Sequence, residues 1–179
     1  MRIALAAVCV VAVVALTAAF APSFGFSVPQ LLWPQRDVDS TSVGSPRAPV
    51  RILVASRASD YKRSLIAALC DSLVADSVFV KVIGLRALPA QDASSYRAIV
   101  LIDASLGWSM DLRVSSFLRR HRGLPGIIVL TTSGSGRWAP HRRGGYDALA
   151  GASEQGGLGA TVSDIARRVR QLCASNAAR

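Results

Sequence analysis

The sequence predicts one compact α/β domain that follows an apolar amino-terminal helix. Two observations predict the domain: short apolar runs rich in β-branched residues recur along the chain, and segments with helical spacing of apolar residues separate them. A third observation, an uncharged apolar stretch at the amino terminus, predicts the helix. After that stretch and a linker, the 179-residue chain has room for a single folded domain.

The amino-terminal helix is long enough to cross a membrane. Residues 3–21 contain no charged residue, Gly or Pro, and about 19 residues at ~1.5 Å each approach the ~30 Å of a bilayer's hydrocarbon layer. The apolar region of a cleaved signal peptide is normally shorter, and Pro22 directly follows the small-x-small sequence that ends at Ala21. We therefore expect an uncleaved signal-anchor helix over residues 1–22, with a cleaved signal peptide as the alternative.

The segment after the helix indicates how the domain is presented. Only Arg36 adds a positive charge close after the helix, so the charge bias is weak and favours a single-pass protein with its domain on the outer side of the membrane. Residues 23–49 are rich in Pro, Ser and Gly, which is typical of a tether. The domain is expected over residues 50–174, and residues 175–179 are expected to be a disordered tail.

Five segments are predicted to be strands because each is a short apolar run that ends in small or polar residues. The segment at 77–85 alternates more than the others and carries Lys81 on one face, which favours an edge strand. The five predicted strands are 50–56, 77–85, 97–103, 126–133 and 146–153.

Three helices are predicted between and after these strands. The first is capped by Ser59 or Asp60, and the second ends at Gly123. The third begins near Thr161, which has capping-box spacing to Asp164. Strands that alternate with helices predict a mostly parallel sheet that is covered on both faces. The apolar stripes of the three helices are Leu65, Ile66, Leu69 and Leu73; Met110, Val114, Phe117 and Leu118; and Val162, Ile165, Val169 and Leu172.

Residues 50–173 resemble the flavodoxin-like family in the order of their segments. That order is RILVAS, a polar turn, a helix, a strand, RAIVLIDASLGWSM, a helix and GIIVLTTSGSG. The resemblance implies about five parallel strands in the order 2-1-3-4-5. It also implies an FMN site outside the carboxyl ends of the strands, at the switch between strands one and three.

The resemblance also implies which residues would contact the flavin. The loop after strand one stands where the family has a hydroxyl-rich phosphate loop of the form [ST]-x-T-G-x-T, although the glycine of that loop is absent here. The loop after strand three would flank the flavin ring, with Trp108 as a stacking or a packing residue. The implied cofactor-binding residues are Ser56, Arg57, Ser59, Lys62, Gly107, Trp108, Ser133 and Gly134.

The charge balance points to an acidic partner. The chain has 21 Lys and Arg against 11 Asp and Glu, a formal net charge of +10. No zinc-finger spacing, RNP-like strand or basic helix with aromatics is present, so nucleic acid is not expected as a partner. Six basic residues are predicted at one sheet edge, either as a solvated face or as the contact for an anionic ligand or acidic redox protein. These are Arg57, Lys62, Arg63, Arg137, Arg142 and Arg143.

Other chemistries lack their motifs. The chain has no G-x-S-x-G elbow, no H-E-x-x-H, no Walker loop and no strand-linked G-x-G-x-x-G, so no catalytic side chain and no metal site are predicted. A phosphoacceptor receiver domain would need acidic residues where Ser56 and Arg57 follow the first strand. Cys70 and Cys173 are predicted at matching depths in two neighbouring helices. They either form a disulfide, if the domain faces an oxidising compartment, or remain two buried thiols.

Two functions follow from these observations. The leading hypothesis is a membrane-tethered flavodoxin-like protein that contacts lipid through residues 3–21 and binds FMN for electron transfer. The alternative is a non-enzymatic binding or scaffold module of the same fold that has lost flavin binding. The absent glycine of the phosphate loop is the feature that separates the two.

Overall fold

A computed structural model describes residues 36–104, 110–133, 136 and 145–175. The predicted anchor, the first part of the predicted tether and residues 176–179 lie outside the described residues. Within the described ranges, no helix is long and apolar enough to cross a membrane.

The described residues form six strands and three α-helices, and each of the five predicted strands is present. Two short 3-10 helices, Leu85–Ala90 and Ala93–Ser95, connect β3 to β4. The strands are β1 Thr41–Val43, β2 Arg51–Ser56, β3 Phe79–Gly84, β4 Ala98–Ala104, β5 Ile127–Ser133 and β6 Asp147–Ala152. The helices are α1 Asp60–Val74, α2 Leu112–Arg120 and α3 Leu158–Ser175.

All six strands lie in one sheet, in the order β1-β3-β2-β4-β5-β6. The five strands from β2 onward are parallel, and Ile52 of β2 lies between Val80 of β3 and Ala98 of β4. Counted from β2, the parallel strands have the order 2-1-3-4-5, which is that of a flavodoxin-like doubly wound sheet. The whole sheet differs from the predicted one by β1, which is antiparallel to β3.

Strand β1 changes the predicted limits of the tether and of the sheet. It lies inside residues 23–49, so the second part of the predicted tether belongs to the folded unit, and β3 is not an edge strand. Lys81, which suggested an exposed face, is half-buried and donates from Nζ to Gln91 Oε1 at 3.0 Å. The polar face of β3 is therefore covered by the connection to β4 instead of by solvent.

The helices cover the two faces of the sheet. Helices α1 and α3 pack together on one face, over the core that contains Ile52, Val54 and Val100. Helix α2 and the 3-10 connection cover the other face, where Leu53 and Leu101 are buried. Alternate residues of each central strand therefore point into two separate apolar cores, as expected for a parallel sheet between helices.

Some of the helix ends lie where the sequence predicts them, and others do not. Helix α1 is capped as predicted, because Ser59 Oγ accepts the N–H of Lys62 at 3.2 Å. Helix α2 ends at Arg120, and Gly123 follows with a positive φ of 84°. Helix α3 begins at Leu158, so the predicted cap at Thr161 is wrong: its Oγ1 donates to Gly157 O within the first turn.

The two cysteines in the described part of the chain are free. Cys70 of α1 is buried and Cys173 of α3 is half-buried. Although the two helices pack side by side as predicted, no disulfide joins them, so the thiol alternative describes this structure.

Candidate functional site

A cluster of charged side chains lies at the carboxyl ends of β2 and β4. The chain leaves β2 toward β3 on one side, whereas β4 lies on the other side, so a crevice is expected at this point of the sheet. We call the five residues that meet here the charged cluster. They are Asp37, Arg57, Lys62, Asp103 and Asp111.

Arg57 is the centre of the charged cluster. It follows β2 directly, and its side chain is about nine-tenths buried. Its Nη1 donates to Asp37 Oδ1 at 2.9 Å, and its Nη2 and Nε donate to Asp111 Oδ2 at 2.6 and 3.1 Å. Burial alone would lower the pKa of Arg57, but the hydrogen bonds and charges of Asp111 and Asp37 outweigh burial and raise it.

Both carboxylates that hold Arg57 are also fixed by the backbone. Asp111 is the N-cap of α2, and its Oδ1 accepts the N–H of Arg113 at 2.8 Å. Asp37 Oδ2 accepts the N–H of Arg86 at 2.9 Å. Each carboxylate thus uses one oxygen for Arg57 and the other for a backbone donor, so the guanidinium is held in one orientation.

Asp103, near the end of β4, is 1% exposed. Its Oδ1 accepts the N–H of Ala104 at 2.7 Å, and its Oδ2 accepts the N–H of Asp111 at 2.9 Å. Burial raises the pKa of Asp103 to about 6, and the Asp111 N–H and the charge of Lys62 offset part of that rise. Asp103 therefore holds together the two ends of the connection from β4 to α2.

Lys62 reaches the charged cluster from the first turn of α1 and is 3% exposed. Burial lowers the pKa of Lys62 to about 8, with a further contribution from the positive charge of Arg57. Attraction to Asp103 and Asp111 offsets part of this effect. The lysine therefore serves as a buried counter-charge to Asp103 rather than as a surface cation.

The other predicted site residues in the described part of the chain have local roles. Ser56 Oγ is buried and lies 2.9 Å from Arg57 O and 3.3 Å from Ile102 O. Ser59 Oγ caps α1, and Ser133 Oγ accepts the N–H of Gly136 at 3.0 Å. Gly107, Trp108 and Gly134 lie outside the described residues.

The predicted positive edge is not seen among the described residues. Arg57 and Lys62 are buried beside carboxylates, and the exposed Arg63 pairs with Asp60 at 2.6 Å. The other three predicted cations lie outside the described residues. Because the carboxylates beside Arg57 and Lys62 lie at least 20 residues away in sequence, the spacing of the basic residues gave no indication of their neutralisation.

Sequence reasoning missed the three carboxylates of the charged cluster. Asp103 ends the apolar run RAIVLID, and Asp111 directly precedes the first residue of α2, so strand end and N-cap position could have indicated both. Asp37 lies in a segment with the composition of a linker, and nothing in its local sequence indicates a buried ion pair.

The loop after β2 does not fit a flavin phosphate. Its Ala58 N–H donates to Arg36 O at 2.8 Å, and the hydroxyl of Ser59 is used by the cap of α1. Arg57 is saturated by two carboxylates, which would repel a phosphate at this position. In the described ranges, no group of three or more His, Cys, Asp or Glu side chains is placed to hold a metal ion.

Comparison with known proteins gives few matches. No protein-family model and no curated protein sequence matches this chain. One solved structure that matches is a mutant flavo di-iron protein from Thermotoga maritima, with 10% sequence identity and a TM-score of 0.46. The match covers 72% of this chain and 36% of that one. The order and direction of its own parallel strands assign this domain to the flavodoxin-like α/β folds.

Proposed function

We propose that this domain is a non-enzymatic binding or scaffold module, held at a membrane by residues 3–21, and that it does not carry FMN. One observation supports the proposal above the others: Arg57 is buried between Asp37 and Asp111 at the place where the fold would hold a cofactor phosphate. The positive charge that a phosphate would need is already neutralised by the protein itself.

Charge balance supports this choice over electron transfer. The charged cluster contains three carboxyl groups and two cations, so it carries no surplus of positive charge at neutral pH. An FMN phosphate would add about two negative charges. It would have to displace Asp37 or Asp111 from Arg57, and a displaced carboxylate that stays buried costs several kcal/mol.

One feature of the fold, the switch point of the sheet, supports flavin binding. Strands β2 and β4 are neighbours at the switch point, and flavodoxin-like proteins bind ligands outside the carboxyl ends of such strands. Electron transfer with an acidic redox partner is therefore the second candidate, and the single-pass membrane location with an outer domain belongs to both. The two candidate functions differ in whether the domain binds FMN.

FMN titration of the full chain in detergent solution tests the proposal. We expect no saturable quenching of flavin fluorescence up to about 100 μM protein, which corresponds to a free energy of binding weaker than about −5.5 kcal/mol. Stoichiometric retention of FMN through gel filtration would overturn the proposal in favour of electron transfer.

A pair of variants tests whether the Asp37 carboxylate is what prevents phosphate from binding at Arg57. Asp37→Asn removes one of the carboxylates that neutralise Arg57, so we expect weak but measurable binding of FMN or inorganic phosphate. Asp39→Asn is the matched control, because it removes the same charge from an exposed position two residues away. Equal behaviour of the two variants would show that the Asp37 carboxylate is not what excludes phosphate.

A further inference from the structure

A polar groove lies at the opposite edge of the sheet, where the parallel strands begin. It has a volume of about 420 Å³, and its polar lining consists of Arg51, Ser94, Ser95, Tyr96 and Arg97. No acidic residue is among the residues that line it. The groove is separate from the charged cluster, because the two lie at opposite ends of β2 and β4.

The two arginines of the groove are neighbours in the sheet. The N–H of Arg97 donates to Arg51 O at 2.8 Å, and the next residues, Ile52 and Ala98, are register partners of β2 and β4. Arg51 begins β2 and Arg97 directly precedes β4, so the two residues occupy neighbouring positions at this edge of the sheet. Both arginines line the groove.

The guanidinium of Arg51 is partly positioned in advance. It lies over the ring of Phe79, at 4.6 Å from the centroid, and its Nη1 donates to Pro46 O at 3.3 Å. The remaining N–H groups of its planar fork are not used by any hydrogen bond that the described residues show. A guanidinium with free donors and a fixed plane suits a tetrahedral oxyanion.

Neither arginine has a carboxylate partner in the described part of the chain. The ion pairs found there involve other arginines, and two of these, Arg57 and Arg168, are each paired with two carboxylates. Arg97 is exposed. The groove thus holds positive charge without carboxylate partners among the described residues, whereas the cations of the charged cluster are neutralised.

Further cations strengthen the positive potential at this edge. One precedes β2 in the loop from β1, and the others lie at the end of α2, which runs back toward the beginning of β5. They are Arg47, Arg119, Arg120 and Arg122. The hydroxyls of Ser94 and Ser95 donate to Asp92 at 2.7 and 2.9 Å, so Asp92 places a negative charge beside the groove.

We infer that this groove binds the dianionic phosphate group of a small molecule through Arg51 and Arg97. The guanidinium groups of two arginines that line one groove match the charge and the oxygens of a phosphate monoester or a pyrophosphate. The serine hydroxyls take no part as donors, because their protons are directed to Asp92. This site is independent of the proposed function and does not involve the charged cluster.

Calorimetric titration of the full chain in detergent solution with inorganic pyrophosphate tests the inference. We expect saturable binding that is weakened about tenfold or more by Arg97→Gln and by Arg51→Gln. Asp92→Asn is expected to strengthen binding, since it removes the nearby negative charge and keeps a side chain that can cap the 3-10 helix. Arg63→Gln is the matched control, because it removes one positive charge at the opposite edge and should leave binding unchanged.

The outcomes are distinct. Loss of affinity that is equal for Arg97→Gln and Arg63→Gln would overturn the site, because general attraction to a cationic protein would explain it. No binding of pyrophosphate at millimolar concentration would also overturn it. Short-chain phosphatidylglycerol, a singly charged phosphodiester, should bind at least about tenfold more weakly, and equal binding would overturn the dianion assignment. Circular dichroism of each variant confirms that the fold is retained.

Discussion

At Arg57 the protein stabilises a buried guanidinium with the buried carboxylate of Asp111 and the partly buried carboxylate of Asp37, so we expect that removal of the cation is costly. Arg57→Ala would leave Asp37 and Asp111 unpaired, so the free energy of unfolding should fall by about 3 to 5 kcal/mol. Arg57→Lys keeps the charge but loses the planar fork, and should restore part of the loss. Urea unfolding at pH 7 measures both variants.

The exposed pair between Arg63 and Asp60 provides the control for this experiment. Its side chains are 60% and 93% exposed, and exposed ion pairs contribute about 0 to 1 kcal/mol. Arg63→Ala should therefore change stability little. If Arg57→Ala and Arg63→Ala had similar effects, the description of Arg57 as a buried structural cation would be wrong.

The buried Asp103 makes the free energy of unfolding depend on pH, and the direction of its pKa shift fixes the sign of that dependence. Its pKa is raised from 3.8 to about 6 in the folded state, so between these values the folded protein keeps a proton that the unfolded chain releases. Its contribution to the free energy of unfolding therefore falls as the pH rises. Asp103→Asn cannot titrate, so the stability of the wild type relative to this variant should fall by about 2 to 3 kcal/mol from pH 4 to pH 7. A difference that stays constant over that range would contradict the burial of an ionisable Asp103.

Single residues could be predicted from the sequence only where their role is local. Ser59 was identified as a cap because its partner is three residues away. Arg57 and Lys62 were expected at the carboxyl edge, and they are there, but their burial and their carboxylate partners depend on contacts 20 to 54 residues apart. Composition and spacing carry no information about such contacts.

Among the elements, β1 depends on one glycine. Gly44 follows β1 with a φ of 87°, and a Cβ at this position would lie 2.0 Å from Val78 O. Gly44→Ala combines a strained backbone with a clash, so we expect a loss of about 2 kcal/mol or more. Thermal unfolding measures it, with faster amide exchange at β3 as a second readout. Gly156→Ala, where a Cβ meets nothing within 4 Å, should be close to neutral, and an equally large effect there would contradict this account.

The longer elements could be predicted because each buries an apolar run or stripe. Five strands and the apolar stripe of α1 were found in this way, and α1 buries Leu65, Ile66, Leu69 and Leu73 as expected. Strand β1 has only three residues, so it shows no periodicity, and its pairing with β3 is a tertiary contact. The start of α3 was misplaced because the glycines before Thr161 resemble a loop, although the helix extends through one of them.

For the whole molecule, the limits of the folded unit can be tested by truncation. A chain that begins at residue 36 keeps β1 and Asp37, whereas a chain that begins at residue 50 loses both and exposes the edge of β3. We expect the first to unfold cooperatively and the second to be destabilised by several kcal/mol, because Arg57 and the Arg86 N–H lose Asp37. Circular dichroism with urea decides between them, and equal stability would show that residues 36–49 are only a tether.

At the same scale, the net charge predicted an acidic partner but not where the positive charge lies. The position of basic residues after strands predicts a positive carboxyl edge, yet the cations of that edge that belong to the described residues are paired with or buried beside carboxylates. The opposite edge holds arginines without carboxylate partners in the described part of the chain. Sequence gives the number of charges, and only the fold gives their pairing.

Asp37 also constrains the order in which a newly made chain can fold. The Asp37 side chain contacts Arg57 and the N–H of Arg86. It also packs against Gly84, where an added Cβ would lie 2.4 Å from the Cβ of Asp37. During synthesis, residues 36–43 leave the ribosome before the residues that they contact, and their binding surface is incomplete until about residue 86 has followed. This segment must therefore wait while about 40 later residues emerge, and any membrane insertion of residues 3–21 would precede the closure of the fold around Asp37.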